Sequence, residues 1–213
     1  LKDVNLLWVT YDTPVDNNDK ADVDFVVQKI KKSLAFLKDS SVVLISSQLP
    51  VESIKFLELF AKSKKRKISF AYSPENLRLG DALNVFLNPD RVVVGCRDEI
   101  TKKIISKILT KLTKNIVWMS VESAEMTKHA INSFLATSVT FANELASICE
   151  KVGADAKQVE VGLKTDIRIG KKAYLGPGGP FAGGTLARDI KFLENISKKF
   201  NLQSKIISSV FKS

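Results

Sequence analysis

Cysteine is almost missing from this chain: Cys96 and Cys149 are the only two among 213 residues. Two thiols so far apart exclude a disulfide framework and a zinc knuckle, and they fit a reducing, cytoplasmic setting. No apolar run approaches the roughly 18 residues that a membrane span needs, and no signal peptide opens the sequence. The dinucleotide fingerprint G-x-G-x-x-G is absent, although it belongs in the first strand-to-helix turn of a doubly wound fold. Either the fold is not of that kind, or its first unit lies upstream of Leu1, which is not Met and so reads as the start of a piece of a longer protein. Internal repeats and low-complexity segments are also lacking.

What is present is the composition of an ordinary globular protein, 45% hydrophobic and 26% charged, with a net charge of +10. That charge raises nucleic-acid binding as a possibility. The densest basic run, Lys62, Lys64, Lys65, Arg66 and Lys67, falls between a helix and a strand, where a solvated loop is the default. Lysine greatly outnumbers arginine, the better reader of phosphate and base edges. No aromatic interleaving offers a stacking platform. The expectation is therefore neither a nucleic-acid nor a membrane partner.

Strands are expected at Val4–Thr10, Ser41–Ser46, Lys67–Tyr72, Arg91–Gly95 and Asn115–Ser120. Between them, apolar residues at helical spacing mark helices, as in Val23, Val26, Val27, Ile30, Leu34 and Leu37. Apolar strands alternating with helices predict an α/β half with a parallel sheet, residues 1–120, covered on both faces. An all-α half follows, residues 121–213. Val121 to Val152 runs without Pro or Gly for 32 residues, which gives a helix of about 48 Å. Its stripe of Ile131, Phe134, Ser138, Phe141, Leu145, Ile148 and Val152 predicts packing against another domain or a second copy. Beyond shorter helices, Tyr174–Asp189 (YLGPGGPFAGGTLARD) holds five of the ten glycines. Such a loop feeding a helix offers backbone N–H groups to an anion.

Three segments in order resemble the UDP-glucose/GDP-mannose dehydrogenase family. Ser73–Gly95 (SPENLRLGDALNVFLNPDRVVVG) is similar to that family's SPE-x-L-R…P-x-R-x-x-x-G segment. Ser123–Glu144 (SAEMTKHAINSFLATSVTFANE) looks like the start of its long central helix. Gly162–Asp189 joins GLKTDIRIG to the glycine-rich loop. The resemblance covers nearly the whole chain, with weaker echoes at Thr13-Pro14 and Ser47–Pro50. It implies the rear part of an NAD-binding, Rossmann-like domain followed by the central helical dimerisation region. It also implies NAD as cofactor, a nucleotide sugar oxidised at C6 as substrate, and a homodimer formed through residues 121–152.

Site residues follow from the same resemblance. Lys128 and Asn132, four apart on one helix face together with Glu125, match the pair that steadies an oxyanion at C6. Asp189 matches the aspartate that helps activate water, although a carboxylate near a helix start could simply favour the dipole. Glu75 matches the SPE glutamate. Thr13, Pro14, Gln48, Glu75 and Arg188 fall on the cofactor side, and Arg168, Tyr174, Gly178, Phe181 and Gly183 on the substrate side. The lone histidine, His129, matches no catalytic position and reads as a helix-surface residue. No metal ligand set is expected.

Several positions depart from the pattern. Gln48 replaces a threonine, Leu79 a glutamate and Arg188 a lysine. Aligning PGPGYGGSCFPKD on Pro177–Asp189 without a gap puts Thr185 where the nucleophilic cysteine belongs. A cysteine, with a pKa of about 8.5, readily yields a thiolate that carries an acyl group; a threonine hydroxyl does not. The expectation is a dehydrogenase with altered or incomplete chemistry. The alternative is a non-catalytic relative that binds nucleotide sugar or acts as a scaffold.

Overall fold

The computed structural model describes residues 3–16, 21–75, 77, 80–181 and 184–211. They divide into two compact units, Leu1–Lys128 and His129–Ser213.

The first unit is built on five strands, β1 (Leu6–Val9), β2 (Val42–Ile45), β3 (Ser69–Tyr72), β4 (Val92–Cys96) and β5 (Ile116–Met119), lying side by side in that order. Helices α1 (Val23–Leu34), α2 (Ser53–Ser63), α3 (Ala82–Leu87) and α4 (Glu99–Leu109) connect them. All four residues of β2 are buried, because successive side chains feed opposite faces of the sheet. Val43 and Ile45 join α1 and α2 in one core, while Val42 and Leu44 join α4 in the other. Covered faces of this kind explain why the strands lack an apolar-polar alternation.

Strands β1, β2 and β3 are mutually parallel, as are β4 and β5, but β4 runs antiparallel to β3. The expected parallel sheet is present, with this one pairing antiparallel. A parallel neighbour requires the chain to cross back over the sheet. The link from β3 carries only the six-residue α3, none of whose residues is buried, and β4 returns antiparallel.

Local capping sets the helix starts. Asp22 and Asp98 accept the backbone N–H groups of Phe25 and Thr101 at α1 and α4, satisfying donors that a helix start leaves open. Helix α2 has no cap from its own N-terminal residue, Glu52, whose φ is +76°. Glu125 supplies it instead: its two carboxylate oxygens accept the N–H groups of Glu52 and Ile54, both at 2.9 Å. Gly95 is fixed by close approach, since a Cβ there would lie 2.7 Å from the Ala124 Cβ and the Val121 Cα.

Helix α5 spans Val121–Val152, followed by α6 (Ala156–Thr165), α7 (Gly184–Lys199) and α8 (Lys205–Val210). The second unit's core is small: Ala136, Ile190 and Val210, with Phe181, Leu186 and Ile207 against them. Gly153, at φ +73°, ends α5 in the left-handed conformation that glycine adopts without strain. No helix among the described residues is long and apolar enough to cross a membrane.

Candidate functional site

The loops that leave β1, β2 and β3 all emerge at the carboxyl edge of the parallel part of the sheet. Thr13 lies in the first, Gln48 in the second and Glu75 in the third. Thr13 is buried, and its hydroxyl donates to the Gln48 carbonyl at 2.7 Å, fastening the first two loops together. Pro14 is exposed, and its carbonyl accepts the Asp22 N–H at 2.7 Å, which closes the first loop onto α1. Lys128 is buried and reaches the third loop: its ammonium donates to the Glu75 carbonyl at 2.8 Å. The Glu75 side chain is exposed. An edge where successive strand-end loops meet is where a doubly wound sheet receives a dinucleotide, and these residues fit that use. Glu125, grouped with Lys128 by helical spacing, faces α2 and serves as its cap. Leu79 lies outside the described residues.

In the second unit, α5 and α7 meet through a polar cluster inside the protein. His129, Asn132 and Asp189 are all buried, His129 and Asp189 with 0% exposure. His129 Nδ1 lies 2.7 Å from Asp189 Oδ1. The Asn132 amide donates to the other oxygen, Asp189 Oδ2. The Phe192 ring sits edge-on to the imidazole, with centroids 5.2 Å apart. The reading of His129 as a helix-surface residue is thus corrected: it is the first of two inward polar side chains, three apart, on one face of α5. Asp189 is in the second turn of α7 rather than at its start, because the helix begins at Gly184. Its environment is set by side chains, not by the helix dipole, which fades beyond the first turn.

The glycine-rich stretch is attached to α5 by a residue that sequence reasoning missed. Asn143 accepts the Gly178 N–H at 2.9 Å and donates to the Gly179 carbonyl at 3.3 Å. An amide side chain suits this double contact because it is both donor and acceptor. Phe181 packs on the small core, whereas Tyr174 is 62% exposed. Gly183 lies outside the described residues. Thr185 is exposed in the first turn of α7, one turn before Asp189, and Arg188 is buried. Arg168 projects into solvent, where its guanidinium pairs with Asp166. The same hydrogen bond raises the arginine's pKa and lowers the aspartate's.

The two thiols of the chain, Cys96 and Cys149, differ in setting. Cys149 is buried. Cys96 closes β4, and burial, reinforced by the charge of Asp98, pushes its thiol up from the ordinary value. A raised pKa leaves less thiolate, hence a poorer nucleophile. Among the described residues no three His, Cys, Asp or Glu side chains form a group able to hold a metal ion.

Comparison with known proteins bears on both units. Residues 1–113 match the UDP-glucose/GDP-mannose dehydrogenase family, NAD binding domain, and residues 122–213 match the same family's central domain. The UDP-glucose 6-dehydrogenase of Rickettsia bellii is 36% identical over 216 residues, covering 100% of this chain and 50% of that protein. The UDP-glucose 6-dehydrogenase TuaD of Bacillus subtilis is 32% identical over 98% of this chain and 46% of its own length. Among solved structures, a UDP-glucose dehydrogenase from the hyperthermophilic archaeon Pyrobaculum islandicum superimposes with a TM-score of 0.86 at 26% identity. It covers 98% of this chain and 49% of that one. The chain spans about half the length of the curated relatives it matches. With both domain models matched in order along nearly all of its residues, the chain belongs to the UDP-glucose/GDP-mannose dehydrogenase family.

Proposed function

We propose that the protein containing this chain is an NAD-dependent oxidoreductase, located in the cytoplasm, that acts on the C6 alcohol of a nucleotide sugar. One observation carries the reading: the Lys128 ammonium is held against the loop after β3, at the edge where the loops bearing Thr13 and Gln48 also meet. A fixed cation at that edge is suited to the negative charge that develops on the alcohol oxygen. Thr13, Pro14, Gln48 and Glu75 would line the cofactor, which when bound supplies the hydride acceptor. Oxidation of the alcohol to the aldehyde removes a hydride from C6 and a proton from its oxygen, and it needs no thiol. Oxidation of the aldehyde by the covalent route does need one, and Thr185 offers only a hydroxyl. The reaction of this protein accordingly stops at the aldehyde.

The test is the yield of NADH per sugar consumed, measured with the whole protein, NAD and UDP-sugars. One NADH with an aldehyde product is expected. Two NADH with a uronic acid would sink the shortened chemistry, and none with any sugar would sink catalysis. In the Thr185→Cys variant the yield should rise toward two.

A second reading is a relative that binds nucleotide sugar without turning it over. Asp189 favours it, because both carboxylate oxygens are engaged by α5 side chains in a fully buried position. Calorimetry would then record sugar-nucleotide binding while NAD stays oxidised, in the Thr185→Cys variant as well.

Under either reading the substrate side would include Arg168, Tyr174, Gly178 and Phe181. We also propose a homodimer formed through α5. Its support is a row of exposed side chains, Phe134 (71%), Phe141 (50%) and Ile148 (59%), spaced seven residues apart, with Val152 continuing it. Exposed apolar rows of this kind are uncommon on monomers.

A further inference from the structure

We propose that His129 is a positioning residue: it holds Asp189 and, through Asp189, aims the amide of Asn132. The inference deepens the oxidoreductase reading of the same helix and rests on that reading for its kinetic consequence. Its structural content stands on the geometry alone.

A carboxylate without solvent exposure needs donors on both oxygens, since an unpaired buried charge is strongly unfavourable. Asp189 meets a partner on α5 at each oxygen, His129 Nδ1 at Oδ1 and the Asn132 amide at Oδ2. The two lie three residues apart, on one face of one helix, so the carboxylate is gripped from two points of a rigid element. The Phe192 ring, three residues beyond Asp189 on α7, closes the edge of the imidazole. A ring nitrogen facing a carboxylate carries the proton, which fixes the tautomer. His129 therefore presents Nδ1–H to Asp189.

This arrangement gives Asn132 a defined direction. An asparagine amide can flip about its last torsion, and the Oδ2 contact holds its nitrogen toward Asp189. Loss of the His129 contact would weaken the hold on Oδ1, loosen the carboxylate and with it the amide. Displacement of a group that binds the transition state lowers kcat more than it raises KM.

The experiment has two arms. In nitrogen-15 NMR of the whole protein, the His129 ring is identified by its loss in the His129→Asn variant. A proton on Nδ1, with ring shifts that change in Asp189→Asn, is expected. An ordinary Nε2–H imidazole, or shifts untouched by Asp189→Asn, would overturn the assignment. In the kinetic arm, His129→Asn keeps a donor near Nδ1 and should stay within about threefold of the unaltered protein in kcat. His129→Leu removes the donor and should lose about tenfold or more in kcat, with KM little changed. Unaltered kcat in a folded His129→Leu variant would overturn the positioning role. Absence of any NADH from the unaltered protein would instead count against the oxidoreductase reading, and the NMR arm would still decide whether His129 holds Asp189.

Discussion

Glu125 shows how one side chain can carry two meanings. Helical spacing groups it with Lys128, whereas its carboxylate is fully buried and closes the start of α2. Its partners lie 71 and 73 positions away in the chain, a separation that no local pattern reveals. Glutamine at 125 keeps one acceptor oxygen but turns an amide donor toward a backbone N–H. Glu125→Gln should therefore cost about 2–3 kcal/mol. A fall of about 5–10 °C in Tm by calorimetry would register it. An unchanged Tm would show that α2 is capped by other means. The Thr185 and His129 variants belong to this same scale. Each asks whether one functional group, a thiol or an imidazole N–H, is supplied where the chemistry calls for it.

At the scale of elements, Arg97 links three of them. Just beyond β4, its guanidinium donates to Glu58 on α2 and to Glu122 in the first turn of α5. The hydrogen bond to Arg97 lowers the pKa of Glu122 from its ordinary value of 4.5. A lowered carboxylate pKa adds stability that is present above the unfolded value and lost as pH falls through the folded one. These side chains are partly exposed, so solvent screening limits the contribution to about 1 kcal/mol. Arg97→Gln should lower Tm by about 2–4 °C at pH 7. The difference should shrink as pH is taken below 4.5, through the lowered pKa of Glu122. A difference that is constant with pH would mean that Arg97 acts by packing alone.

Elements also mark what the sequence discloses. The limits of α5 coincide with the expected Val121–Val152, because no Gly or Pro interrupts it and Gly153 follows. The direction of β4 was not legible, since Val92–Cys96 reads equally well in either sense and α3 is too short to carry a helical period. Buried β2 betrayed itself by composition, as a strand covered on both faces must. His129 was legible in principle: it stands three residues before Asn132, and that interval places two side chains on one helix face. The aspartate that makes the interval meaningful comes from α7, 60 positions later. Pairing across such a distance is a property of the fold.

At the scale of the whole molecule, the exposed row on α5 and the basic charge make different demands. Phe134→Asp together with Phe141→Asp should convert the proposed dimer to a monomer, measured by light scattering. Both side chains are half or more exposed, so the monomer itself should be nearly unaffected, within about 0.5 kcal/mol per site. A doubly substituted protein that remains dimeric would move the interface elsewhere. The basic run at residues 62–67 includes one structural member. Arg66 donates to the carbonyls of Leu34 and Leu37 at the end of α1 and pairs with Asp39. That contact spends its guanidinium on the fold instead of on a nucleic acid.

Helix α5 has one further consequence, mechanical in kind. Its inward side grips Asp189 through His129 and Asn132, while another side presents Phe134, Phe141 and Ile148 to solvent. Side chains on one helix are set at fixed angles around a shared axis. In the proposed dimer, a partner that takes hold of the outer row would also set the roll of the helix, as a hand on one rim of an axle turns the other. Gripping and aiming would then be a single degree of freedom.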